Sequence, residues 1–209
     1  MSPRTAPSLS RRAALKTLGA SATAIAFVPW LSEEGLLAYA RIQATSASPA
    51  PRVLSAAQYA TVEAFTETLI PADDRSPGAR AARVADYIDL LLDESDEKTR
   101  AAWLEGIAAL DADARTRYGR PYVKLDAAEM EALVTAISRN ERTPKTPAET
   151  FFAAAKAATI QGYYTSEIGI HQELRYKGNQ MLPEFVGCGT EDGKDCPHCG
   201  QRQEVGGRR

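Results

Sequence analysis

The chain is poor in the residues that most often carry chemistry. Its 209 residues include only three cysteines and two histidines. Three cysteines cannot frame a disulfide-built miniature fold, and a chain of this length can bury a core without one. An excess of either charge is also missing, since 25 Lys and Arg stand against 27 Asp and Glu, a formal charge of −2. Nothing there neutralises a run of phosphates, which excludes nucleic-acid binding and a polybasic membrane anchor as main roles. The uncharged run over residues 17–30 has 14 residues, short of the roughly 20 that span a bilayer as a helix. There is no Gly-rich phosphate loop, no G-x-S-x-G, no H-E-x-x-H and no G-x-G-x-x-G after a strand. No segment alternates apolar and polar residues for long enough to suggest a sheet.

What is present begins at the N-terminus. Ser10-Arg11-Arg12-Ala13-Ala14-Leu15-Lys16 precedes the uncharged run, and Ala38-Tyr39-Ala40 follows it as an A-x-A cleavage pattern. This is the layout of a twin-arginine export signal, with Arg11 and Arg12 as the pair. The plain alternative is a chance Arg-Arg before an apolar stretch, against which Ser10 before the pair and Leu15-Lys16 after it also fit. Ala14 departs from the pattern, which usually has Phe there. Such signals belong to cargo that folds before export, so a periplasmic destination is expected. Residues 1–40 are read as the signal, and residues 41–53, rich in Ala, Ser, Thr and Pro, as a flexible linker.

The remainder reads as an all-α domain of about five helices over residues 54–187, with an irregular cysteine-containing tail over residues 188–209. Leu54-Ser55 and Gln58-Tyr59 form a capping box with a hydrophobic staple, and Pro71 ends the helix. After a turn-rich loop over residues 71–80, Val84, Tyr87, Ile88, Leu91 and Leu92 recur on one helical face. Glu94, Asp96 and Glu97 open a third helix that carries Trp103, Leu104, Ile107, Leu110 and Tyr118 inward and stops at Gly119. Asp126 to Glu129 repeats the capping grammar, and Thr146-Pro147-Ala148-Glu149 starts a last helix that is expected to end near Gly162.

Two features could carry chemistry. Asp73 and Asp74 sit together in the 71–80 loop, where adjacent carboxylates are ordinarily solvated turn residues. A hydrolase built from them and His171 is the weakest reading. The tail holds Cys188 and Cys196-Pro197-His198-Cys199. Zinc or an iron–sulfur centre could use Cys188, Cys196, Cys199 and His198, or His171, as soft ligands, making the tail a metal-binding or electron-transfer module. A disulfide between Cys188 and one of the other two suits an oxidising compartment but leaves one thiol over. Covalent haem would need C-x-x-C-H, and Gly200 occupies the His position.

The stretches ETLIPADDRSPGARAARVADYID (residues 67–89) and GYYTSEIGIHQELRYKGNQMLPEFVGC (residues 162–188) resemble the small third subunit of gluconate 2-dehydrogenase and related flavin-dependent sugar dehydrogenases. The resemblance implies a helical, non-catalytic subunit that binds no cofactor itself. It would escort and stabilise a large FAD-dependent subunit of the glucose-methanol-choline type. Electrons would leave through a cytochrome c or an iron–sulfur centre on another chain, and the membrane would be met indirectly or through an uncleaved signal. The family's tail commonly has Cys followed closely by His, whereas here Cys188 precedes an extra CPHC. No catalytic residue carries over.

Tyr163, Tyr164, Ile168, Leu174, Tyr176, Leu182 and Phe185 are many apolar groups for the end of a chain to leave in water. They read either as a partner interface, where Tyr is enriched, or as a wrap around the chain's own helices.

Overall fold

The structure, a computed structural model, describes residues 31–45 and 49–178. Arg11 and Arg12 of the expected signal, Leu182, Phe185 and the cysteine tail with His198 lie outside the described residues.

Five of the six described α-helices begin where a side chain can accept the first free backbone N–H groups. The described helices are α1 (Glu33–Gln43), α2 (Ala56–Leu69), α3 (Val84–Glu94), α4 (Glu97–Tyr118), α5 (Ala127–Ser138) and α6 (Pro147–Tyr164). A 3₁₀ turn, Tyr122–Lys124, joins α4 to α5, and a π-helical turn, Gly169–Glu173, follows α6. Among the described residues there is no strand, so the protein is all-α, as expected. Reciprocal capping boxes close α2 through Ser55 and Gln58, α5 through Asp126 and Glu129, and α6 through Thr146 and Glu149. Asp96 caps α4, which ends on Gly119 in the left-handed conformation at φ 73°. The start of α3 differs. Its preceding residue, Arg83, has φ 57° and no capping side chain.

The core forms around α3, whose residues from Val84 to Leu92 are all buried, including Asp86 and Asp89. That is why its apolar stripe is broad, since α1, α2 and α6 all pack against it. A second aromatic cluster joins α2, α4 and α6. Phe65 lies 5.0 Å from Phe151, 6.0 Å from Tyr122 and 6.4 Å from Phe152 between ring centroids. Trp103 meets Phe151 edge-on at 5.5 Å. Gly106 allows α4 and α6 to approach there, because a Cβ at that position would collide with Phe151.

The helical body begins upstream of Leu54. Helix α1 runs through the expected cleavage point at Ala40, and its Tyr39 is 2% exposed. The Tyr39 ring packs edge-on against Tyr87 at 5.2 Å, and its hydroxyl reaches the carbonyls of Ala82 (2.6 Å) and Gly162 (3.1 Å). Leu31 is buried as well. The stretch expected as a flexible linker is tied down where it is described. Arg41 to Gln43 are helical, and Asp89 accepts the backbone N–H groups of Arg52, Val53 and Leu54 at 2.6, 3.1 and 2.9 Å. The physical reason is that Asp89 is buried on α3 and needs donors, which the extended segment before α2 supplies. The body continues to Tyr176.

Candidate functional site

The described residues among those expected to meet a partner lie at the end of α6 and just after it. Along this helix Ala148, Phe152, Ala155, Thr159 and Tyr163 recur at intervals of four or three and are buried. Neighbours on a helix point about 100° apart, so Tyr163 and Tyr164 divide. Tyr163 is 2% exposed, and its hydroxyl lies 2.6 Å from Ser76 Oγ and donates to the Pro77 carbonyl at 2.8 Å. It fixes the 71–80 loop, and burial pushes its hydroxyl up from the ordinary phenol range. Tyr163 is therefore a core residue of this chain, not a surface one. Tyr164 packs edge-on against it at 5.3 Å and is exposed.

Beyond α6 the chain turns back sharply. Ser166 Oγ donates to the Tyr163 carbonyl at 2.6 Å and accepts the Gly169 N–H at 2.9 Å. Gly169 sits so close to the Tyr163 carbonyl that any Cβ would collide. Ile168 is half-buried against the core, while Leu174 and Tyr176, at 56% and 51% exposure, stand in solvent. Ile160, one turn before Tyr164, is exposed too, as are Leu36 and Leu37 on α1. A groove of about 300 Å³ between α1 and the residues after α6 is lined by Leu36, Tyr39, Ala40, Gln43, Thr165 and Glu167. Gln43 closes its floor by accepting the Glu167 N–H at 2.9 Å.

Three of the seven expected interface residues, Tyr164, Leu174 and Tyr176, thus form an exposed set, to which Ile160, Leu36 and Leu37 add. Ile160 was discoverable from its four-residue spacing to Tyr164. The two leucines were not, because they fell within the assigned signal.

The titratable groups of the body hold structure together. Asp86 is paired with Arg83 at 3.0 Å. Burial raises its carboxyl above the usual carboxylate range, against the lowering influence of the Arg83 guanidinium and a hydrogen bond from Tyr59. Asp86 and Asp89 border a cavity of about 250 Å³ beside Arg41 and Arg52, but Asp89 is already occupied by three backbone donors. Asp73 closes its loop by accepting the Arg75 and Ser76 N–H groups at 2.9 and 2.8 Å, which holds its carboxyl below the ordinary range. His171 is exposed on the π-helical turn. Among the described residues no group of three or more His, Cys, Asp and Glu side chains could hold a metal ion. No described helix is long and apolar enough to cross a membrane.

A family model described as gluconate 2-dehydrogenase subunit 3 matches residues 56–183, from the first residue of α2 to beyond the exposed set. No curated protein and no solved structure gives a match.

Proposed function

Because the chain belongs to the gluconate 2-dehydrogenase subunit 3 family, we propose that it is the non-catalytic small subunit of a periplasmic, FAD-dependent sugar or gluconate dehydrogenase. In this reading it docks on a large flavoprotein of the glucose-methanol-choline type and stabilises it. The twin-arginine signal on this chain carries both to the periplasm. Sugar oxidation and its specificity belong to the flavoprotein.

The observation that carries the docking role is the exposed set Ile160, Tyr164, Leu174 and Tyr176, inside the matched range. Large apolar and aromatic groups left exposed along α6 and the segment after it suit an interaction surface. They are backed by a rigid support, since Tyr163, Ser166 and Gly169 lock the chain beneath them.

Co-expression of the large subunit with and without this chain tests the proposal. The expected result is active flavoprotein in the periplasm only when this chain is present, and in neither case when Arg11 and Arg12 are changed to Lys. A flavoprotein that reaches the periplasm fully active alone would overturn the escort role.

A further inference from the structure

We infer that helix α1 is a permanent part of the folded subunit, so that Ala38-Tyr39-Ala40 is not a leader-peptidase site and the exported chain keeps every residue from Leu31 onward. The cellular setting rests on the export reading above, whereas protection of the Ala40–Arg41 bond rests on geometry alone.

A leader peptidase takes its substrate as an extended strand, with the small residues of A-x-A in its pockets. In this protein those residues are helical. The Ala40 carbonyl accepts the Ala44 N–H at 3.1 Å, and Tyr39 between the two alanines faces the core. Ties hold the helix on both sides of the bond. Upstream, Ser32 donates its N–H and hydroxyl to Glu94 at 2.8 and 2.6 Å. Downstream, Arg83 donates to the carbonyls of Ile42 and Thr45 at 2.6 and 2.9 Å, and Gln43 accepts from Glu167. Between them Tyr39 bonds two carbonyls from separate parts of the chain, Ala82 and Gly162.

Straightening residues 38–41 would unwind α1, extract Tyr39 and leave two buried carbonyls without their donor. Such a bond is cut only from the opened state, in proportion to its population. The order of events on the twin-arginine route sharpens the point, because cargo that folds before export presents the peptidase with α1 already in place. A cut after Ala40 would also discard Leu31, Ser32 and Tyr39, all of which contact the body directly.

The test uses the purified full chain with detergent-solubilised leader peptidase, read by intact mass. A peptide of residues 31–45, too short to hold a helix alone, is the open reference. The folded chain is expected to be cut at Ala40–Arg41 on the order of 100-fold more slowly than the peptide. Tyr39→Ala keeps a small-residue pattern while removing the clasp, and is expected to recover at least about tenfold of that rate; Tyr39→Phe, which keeps the ring, should recover less. Cleavage of the folded chain at the peptide's rate overturns the inference. In cells, a periplasmic chain that begins at or before Leu31 supports it, and one that begins at Arg41 overturns it. If no chain reaches the periplasm, the export reading fails and the peptidase assay still decides this one.

Discussion

Gly106 on α4 lies against Phe151 on α6 so closely that a methyl group on the glycine would collide with the phenylalanine Cβ. The close approach seats Phe151 between Phe65 and Trp103. In an exposed helix, Gly→Ala would gain about 1 kcal/mol of helix propensity. Here overpacking of about 1–3 kcal/mol or more opposes it. Gly106→Ala is therefore expected to destabilise the protein, read as a lower urea midpoint with unchanged slope, and Gly106→Leu to prevent folding. A stabilised Gly106→Ala variant would show that the crossing is looser than this.

Asp89 offers a sharper test of the segment before α2. Its carboxylate is the acceptor for three successive N–H groups, and each donor left unsatisfied costs about 1–3 kcal/mol. Asp89→Ala is expected to lose at least about 3 kcal/mol, with Asp89→Asn losing less because it keeps one acceptor oxygen. Hydrogen exchange at Arg52, Val53 and Leu54 should accelerate in Asp89→Ala beyond what the global loss explains.

The buried pair Arg83–Asp86 gives a pH signature. Both side chains are largely shielded, at 16% and 5% exposure, and removing one partner of such a pair costs about 3–5 kcal/mol. Arg83→Met is expected to show that loss at pH 7. The Asp86 carboxyl is already raised in the folded protein and would rise further without the guanidinium. A group whose folded value lies above its unfolded one binds protons preferentially in the folded state. Stability of the variant should therefore be highest below the ordinary carboxylate range and fall as pH rises through the folded value of Asp86. Urea midpoints for variant and parent between pH 4 and pH 8 would show the gap widening with pH, and a constant gap would exclude Asp86 as its source.

Tyr163 and Tyr164 should separate stability from docking. Tyr163→Ala empties a core site that holds the 71–80 loop and is expected to cost about 3–5 kcal/mol. Tyr164→Ser and Tyr176→Ser, both at exposed positions, should cost far less, about 0.5–1.5 kcal/mol for Tyr164, whose ring meets Tyr163 edge-on. Together these two serines should weaken affinity for the flavoprotein by roughly 30-fold, the effect of losing one interface hot spot. Unchanged affinity by calorimetry or biolayer interferometry would place the interface elsewhere.

Much of this architecture was legible because its signals are local. Ser55 with Gln58, Asp126 with Glu129 and Thr146 with Glu149 announce helix starts within four residues, and Gly119 announces a stop. The stripe of α3 was legible from Val84, but no local cap announces its start, since left-handed Arg83 is held by carbonyls of Ile42 and Thr45 far upstream. The inward face of Tyr163 follows from the four-residue spacing that begins at Ala148, once the helix is continued two residues past Gly162. Helix α1 stayed hidden for a different reason. Small residues flanking a tyrosine look the same whether they wait for a peptidase or pack beneath a core aromatic, and only Tyr87, Ala82 and Gly162 distinguish the two.

The bond from Tyr39 to Gly162 joins residues 123 positions apart. At about 5–20 residues per second of synthesis, Tyr39 leaves the ribosome roughly 6–25 s before Gly162 does. The capped helices between them can form within that interval, since helix formation takes microseconds or less. The half of the clasp made to Gly162 closes only on a chain completed through α6. A truncated product would keep Tyr39 bonded to Ala82 alone, so its second bond registers that translation has run past Gly162.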